Sequence, residues 1–244
     1  MTRTGWRWWH VLLATLGAVA MFLVVSAVIG GVLLFRVLSD LGPDGPEEDD
    51  PQVVAARDTA ARELTADADR LTAAVVQPAL GPGAAPVGRG EVRPPCTVGQ
   101  HNWKIDDDFD LACDLYRLEV VAAPRRETFN ADMQALDEAL RAEGWTPSPV
   151  GTMAEELQVF EGDVVTLSGT SYTRTDAGGE RTLGIRWTAY GAPPESVSYY
   201  ADDPDHAELR TAGGERAHVS YLLEAIPADG YAVVATEGVE YFRQ

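Results

Sequence analysis

Basic residues are scarce in this chain, and lysine is nearly absent. Lys104 is the only lysine, and 19 basic residues stand against 38 acidic ones, which gives a net charge of -19. Nucleic acids and anionic lipid headgroups bind proteins mainly through Lys and Arg. We therefore expect no nucleic-acid partner, and the acidic surface favours solubility, cations or basic partners.

Common catalytic motifs are also missing. The patterns G-x-S-x-G, H-E-x-x-H and the P-loop do not occur. The chain has four histidines, and none is spaced from a serine and an aspartate in a way that singles out a triad. A glycosidase needs two facing carboxylates, but among 38 acids some pair is always available. We predict a protein without enzymatic activity and without a cofactor; the alternative is a cell-envelope hydrolase with an unrecognised site.

Acidic residues are absent from the first 36 positions, and the run from Val11 to Phe35 carries no charge at all. About 20 apolar residues suffice for a helix to cross a bilayer, so the run predicts a transmembrane helix at 11–35. Arg3 and Arg7 precede the run, which places residues 1–10 in the cytoplasm and the rest of the chain outside. A cleaved signal peptide is the alternative, but its possible cleavage site at Ser26 lies inside the run.

Cysteine occurs only twice, as Cys96 and Cys113. Their spacing is neither the C-x-x-C of a redox centre nor the close pair of a structural zinc site. A zinc site would need both cysteines, His101 and a fourth ligand. Outside the membrane, thiols tend to persist as disulfides. We therefore predict a Cys96–Cys113 bond that closes an 18-residue loop.

The segment between the cysteines is acidic and carries an aromatic residue. Three of its aspartates form D-x-D-x-D, the opening of a calcium loop, but Leu111 stands where glycine is needed and Arg117 where the closing glutamate is needed. We therefore predict no metal site; a looser calcium site and a solvated loop are the alternatives. The possible binding surface comprises Trp103, Lys104, Asp106, Asp108 and Asp110.

Residues 36–95 are predicted to connect the membrane span to the domain, beginning with an acidic linker. Asp50 caps a predicted amphipathic helix over about 51–77, with Pro51 in its first turn and Pro78 at its end. This helix either packs on the domain or stands as a stalk, and pairing with a second copy as a short coiled coil is a further alternative. The stretch 78–95 is rich in Pro and Gly and predicts a linker.

Residues 96–244 then form a predicted extracytoplasmic α+β domain, with a mostly antiparallel sheet and one main helix. A strand is predicted over 115–123 and the helix over 125–145, where Phe129, Met133, Leu136 and Leu140 form an apolar stripe. Two hairpins are predicted, one from 164–175 and 181–190, the other from 217–226 and 231–242. Loops are expected over 191–214, with a short strand at about 197–200.

The segment GQHNWK (99–104) lies between the two cysteines and is followed by acids, a strand and a helix ending in GW. This arrangement, over about residues 94–146, resembles a group of uncharacterised actinobacterial single-pass membrane proteins. The resemblance implies no activity and assigns no residue a role. The sequence thus predicts a membrane-anchored binding or accessory domain, held in the bilayer by 11–35, with a possible protein partner in the envelope. An assembly partner in a membrane complex is the third alternative.

Overall fold

The computed structural model describes residues 45–101, 104–149, 151–159, 169–176, 179–189 and 207–244. The predicted membrane span at 11–35 and the expected short strand at 197–200 lie outside these residues. The chain divides into the units Met1–Gly45 and Pro46–Gln244, and the fold described below is that of the second unit. Among the described helices, none has both the length and the apolar character that crossing a membrane requires.

The described residues form an α+β domain, as predicted, around one antiparallel sheet. The strands follow the spatial order β4-β5-β6-β8-β3-β1-β7, and β2 pairs with the end of β3. The two longest strands, β3 and β8, lie side by side in the middle of this order. The strands are β1 (Ala85–Val92), β2 (Thr97–Val98), β3 (Leu111–Ala123), β4 (Thr146–Pro147), β5 (Gly169–Asp176), β6 (Gly179–Ala189), β7 (Ala207–Thr211) and β8 (Tyr231–Arg243).

Helices cover both faces of this sheet. Asp50 caps the first helix by accepting a hydrogen bond from the Gln52 amide at 3.0 Å, which confirms the predicted start. The helix does not end at Pro78, because a π-helical turn carries it into a further short helical segment. The helices are α1 (Pro51–Leu71), the π turn (Thr72–Val76), α2 (Gln77–Ala79), a 3-10 turn (Arg126–Thr128), α3 (Phe129–Ala142), α4 (Met153–Val159) and α5 (Val219–Glu224).

The larger core lies between the sheet and the face covered by α1 and α3. The predicted stripe of α3 is buried there at all four positions, from Phe129 to Leu140. Two tyrosine hydroxyls of the sheet donate hydrogen bonds to aspartates of α3: Tyr172 to Asp137 at 2.7 Å and Tyr231 to Asp132 at 2.8 Å. These bonds fix the helix over the sheet and satisfy the buried hydroxyl groups.

Helix α1 packs on this same face and is not a detached stalk. Its residues Val53, Leu64, Ala68 and Leu71 are buried. The apolar stripe predicted from the sequence is therefore occupied by the sheet of the same chain. Of the alternatives for this helix, packing on the domain is confirmed.

The opposite face carries α5, where the sequence analysis predicted a strand. Leu222 is fully buried with Ile226 against Leu118 and Val234 of the sheet. The prediction of a second hairpin from 217–226 was wrong. The segment contains residues that suit either structure, and its apolar side chains reach the sheet on one side of a short helix.

The predicted linker at 78–95 was also wrong, because β1 occupies most of it. This strand lies between β3 and β7 and pairs with both. Its glycines allow close packing: a Cβ at Gly88 would lie 2.3 Å from Leu222 Cδ2, and one at Gly90 would lie 2.1 Å from Leu209 Cδ2. The compact unit therefore begins at Pro46, well before Cys96. Strand β7 likewise replaces part of the predicted loop at 191–214.

Candidate functional site

The two cysteines form the predicted disulfide. Cys96 and Cys113 are joined by an S–S bond of 2.06 Å. Cys113 is fully buried in β3, where it packs with Val53 of α1 and Leu111. The bond therefore ties the segment after β1 to the central strand, and neither sulfur is available to bind zinc as a thiolate.

The acidic loop closed by this bond is mostly exposed. The side chains of Asp106 and Asp108 are 87% and 81% exposed, and Asp108 contacts Arg243. His101 Nδ1 lies 3.1 Å from Asp106 Oδ1, and its Nε2 lies 3.0 Å from Asp110 Oδ1. Since both ring nitrogens face acceptors, the hydrogen bond to Asp106 and the other contacts raise the pKa of His101. His101 of the loop and Arg243 of β8 thus hold three of the loop aspartates.

The predicted binding surface on this loop stays a prediction. Trp103 lies outside the described residues, and Lys104 is exposed. Within the described part of the chain, no three His, Cys, Asp or Glu side chains are grouped so that they could hold a metal ion. Asp106 and Asp110 contact opposite nitrogens of the His101 ring, and Asp108 contacts Arg243.

A cleft of about 260 Å³ lies elsewhere, between the end of α1 and strands β1 and β3. Its walls come from the last turn of α1, the π turn, both strands and the segment after β7. Most of its polar groups come from α1, the π turn and β3. The lining residues that bear on its chemistry are Asp69, Thr72, Ala73, Gln77, Arg89 and Glu119.

The π turn shapes the helical wall of this cleft. The backbone N–H of Gln77 donates a hydrogen bond to the carbonyl of Thr72, five residues earlier. In an α-helix the acceptor would be the carbonyl four residues earlier. Such turns are rare and often occur at functional sites. Thr72 is 6% exposed, and its Oγ1 has no hydrogen-bond partner among the described residues. Buried hydroxyl groups are normally paired, so this one is a candidate contact for a ligand.

Glu119 of β3 supplies a buried carboxylate on the opposite wall. It is 4% exposed, and its Oε1 lies 3.2 Å from Arg117 Nε. Burial and, to a lesser extent, the nearby Asp69 carboxylate raise the pKa of Glu119, while Arg117 and Arg89 act against the shift; the resulting pKa is about 7. A carboxyl group that titrates near neutral pH in a cleft is a functional-site candidate.

Arg89 and Asp69 form the outer part of the cleft. Arg89 Nη1 lies 3.5 Å from Asp69 Oδ1, and both side chains are nearly half exposed. Ion pairs of this kind contribute little to stability because water competes with them. The pair is therefore easily rearranged, in contrast to the buried Glu119.

A second charged cluster lies under α1 and has a structural role. Arg181 Nη1 lies 2.7 Å from Asp67 Oδ2 and 3.3 Å from Glu237 Oε1. Arg181 and Glu237 are almost fully buried, and burial raises the pKa of Glu237. The cluster links helix α1 to strands β6 and β8. Removing one partner would leave a buried charge uncompensated.

Sequence reasoning missed the cleft residues. The sequence analysis assigned no role to Glu119 and Asp69. The functional acids are distinguished by their burial, and burial depends on the tertiary structure. One signal was present: Arg117 and Glu119 occupy alternate positions of a strand in which Leu115 and Val121 are buried on the same face. Two charges on a buried face require partners from whatever covers that face.

Comparisons with known proteins assign no role to this cleft. No family model matches the chain. No curated protein and no solved structure matches it either.

Proposed function

We propose that this protein is a single-pass membrane protein whose exported domain binds a small molecule in the cleft and acts as a non-catalytic accessory module. The uncharged run at 11–35 and the arginines before it support the anchor and its orientation. One observation supports the binding role: the cleft holds both the buried Glu119 carboxylate and the Thr72 hydroxyl, which has no hydrogen-bond partner in the described part of the chain.

The energetics of buried polar groups support a ligand at this place. An unsatisfied buried hydroxyl costs about 1–3 kcal/mol, and a buried carboxylate costs more unless it is compensated. A molecule that donates hydrogen bonds to both groups would offset this cost on binding. The fold therefore maintains an arrangement that is more favourable with a ligand than without one.

The chemistry of the cleft supports binding over hydrolysis. Among its described lining residues there is no histidine, cysteine or serine. No base of the described part of the chain lies within hydrogen-bond distance of Thr72 Oγ1, so none of these residues activates the hydroxyl as a nucleophile. Glu119 is engaged by Arg117 at 3.2 Å. These features suit recognition of a ligand.

The test is a fragment screen against the full-length protein in lipid nanodiscs, with saturation-transfer NMR as the readout. Ala73 lies exposed at the cleft, so Ala73→Trp should fill it and abolish the binding of cleft ligands. Ala74→Trp is the matched control, because Ala74 is the next exposed residue of the π turn and does not line the cleft. Fragments that bind the wild type and Ala74→Trp but not Ala73→Trp support the proposal. If Ala73→Trp leaves every hit unchanged, the cleft is not the ligand site.

A further inference from the structure

We propose that the ligand of this cleft is a small organic cation, whose ammonium or guanidinium group binds between the carboxylates of Asp69 and Glu119 and donates a hydrogen bond to Thr72 Oγ1. This inference rests on the proposed function and adds the chemical class of the ligand. A volume of about 260 Å³ is small for a ligand site, so the cation is a small one.

The polar atoms of the cleft are mostly acceptors. Asp69 and Glu119 contribute carboxylates, and Thr72 contributes a hydroxyl that accepts as well as donates. The side-chain Nε2 of Gln77 donates to the Ala84 carbonyl at 2.8 Å. Among the described residues that line the cleft, Arg89 is the only cationic one, and it contacts Asp69. A complementary ligand therefore brings donors.

The charges favour a cation over an anion. An anion at Thr72 would approach the carboxylate of Glu119, and the chain as a whole carries a net charge of -19. The Arg117 guanidinium already contacts Glu119, and Arg89 contacts Asp69, so neither arginine is available without breaking an ion pair. A neutral ligand could satisfy Thr72 but would leave the carboxylate of Glu119 undercompensated.

The titration of Glu119 supplies an independent readout. Burial is the largest cause of its raised pKa, and three charged neighbours modify it: Arg117 from its own strand, Asp69 from α1 and Arg89 from β1. The pKa of Glu119 near 7 indicates that the neighbouring arginines compensate its charge only in part. A bound cation favours the ionised form and lowers this pKa, so binding should strengthen as pH rises and Glu119 ionises.

The experiment uses three probes on one carbon skeleton: butylamine, butanol and butyrate. Each is titrated by saturation-transfer NMR against the full-length protein in zwitterionic nanodiscs, with empty nanodiscs as the blank. Butylamine should bind, and its affinity should rise about tenfold between pH 6 and pH 8, in proportion to the ionised fraction of a group with a pKa near 7. Butanol and butyrate should bind at least about tenfold more weakly, because each lacks the charge-assisted hydrogen bond.

Two variants locate the effect. Glu119→Gln should weaken butylamine binding about tenfold or more and remove its pH dependence. Glu138→Gln, at an exposed position of α3, removes the same charge elsewhere and should change neither. Ala73→Trp should abolish butylamine binding at every pH, which provides a second test should Glu119→Gln fold poorly.

The outcomes separate this inference from the proposed function. Equal binding of butylamine and butanol, both lost in Ala73→Trp, would overturn the cation and leave a ligand-binding cleft. Preferential binding of butyrate would do the same and would point to Arg89 as the anchor. Butylamine binding that survives Ala73→Trp, or the lack of any butylamine binding, would also overturn the inference.

Discussion

Replacing Glu119 with glutamine is expected to stabilise the α+β domain at pH 8 and to change its stability little at pH 5. Burial raises the pKa of Glu119 in the folded protein from an ordinary value of 4.5 to about 7. The folded chain therefore holds this proton more tightly than the unfolded chain does. Protonated Glu119 therefore contributes to the free energy of unfolding. This contribution is complete below pH 4.5 and is lost as pH rises towards and through 7.

The size of the effect follows from the same two values. Their difference corresponds to about 3 kcal/mol of unfolding free energy at pH 8, because one pKa unit is worth about 1.4 kcal/mol. Glutamine has nearly the same shape as the protonated carboxyl group and never carries its charge. Burial also raises the pKa values of Asp114 and Glu237. These two groups contribute to the pH dependence of both proteins and cancel in the comparison.

Urea unfolding of the full-length protein at pH 5, 6, 7 and 8, followed by tryptophan fluorescence, measures this difference. The wild type should lose up to about 3 kcal/mol relative to Glu119→Gln across this range. Glu138→Gln removes an exposed carboxylate and should run parallel to the wild type. Parallel curves for the wild type and Glu119→Gln would refute the reasoning, because they would show that the fold does not raise the pKa of this group.

Further predictions concern the topology, the disulfide and helix α5. Protease added to intact spheroplasts should digest the domain that follows residue 36, and protection of that domain would contradict its export. Replacing Cys96 and Cys113 by serine should lower the free energy of unfolding by about 3 kcal/mol, since the bond closes a loop with a sequence separation of 17; unchanged stability in urea would show that the loop is held by other contacts. Leu222→Ala should cost about 2–5 kcal/mol, because this side chain is fully buried. Tyr221→Ala, at an exposed neighbouring position, should cost less than about 1 kcal/mol, and equal costs would argue against the packing of α5 on the sheet.

The elements predicted correctly are those that local pattern determines. In α3, apolar residues recur at spacings of four, three and four from Phe129 to Leu140, and Gly144 follows with a φ of 86°. The turn signal DAGGE (176–180) contains two glycines and is flanked by strand-forming residues, so the pairing of β5 with β6 was predictable from the sequence. In these segments propensity, periodicity and turn chemistry agree with one another, and tertiary contacts only reinforce them.

The elements that were missed depend on contacts between distant segments. Strand β1 contains Gly88 and Gly90, which in isolation indicate a flexible segment. Leu222 and Leu209 pack against these glycines in the fold, so the missing side chains make room for partners from elsewhere. Helix α5 is the counterpart of this contact: its segment became a helix where Leu222 and Ile226 could cover the sheet. Neither element could be predicted alone, because the glycines of β1 suit a strand only when Leu222 of α5 packs against them.

Local sequence patterns could not predict the cleft, because it too depends on contacts between distant segments. Asp69 and Glu119 lie 50 positions apart in a chain with 38 acidic residues, and nothing in their neighbourhoods marks them as a pair. What brings them together is α1 packing across the central strands, with the π turn placing Thr72 at the wall. The acidic composition predicts a solvated surface and does not indicate this site. The acidic cluster that is evident in the sequence is the exposed one between the cysteines. An exposed aspartate is stabilised by water and costs nothing to keep, whereas a glutamate that is 4% exposed persists only at a cost to stability. The free-energy cost of burying Glu119 therefore favours a functional role for this residue.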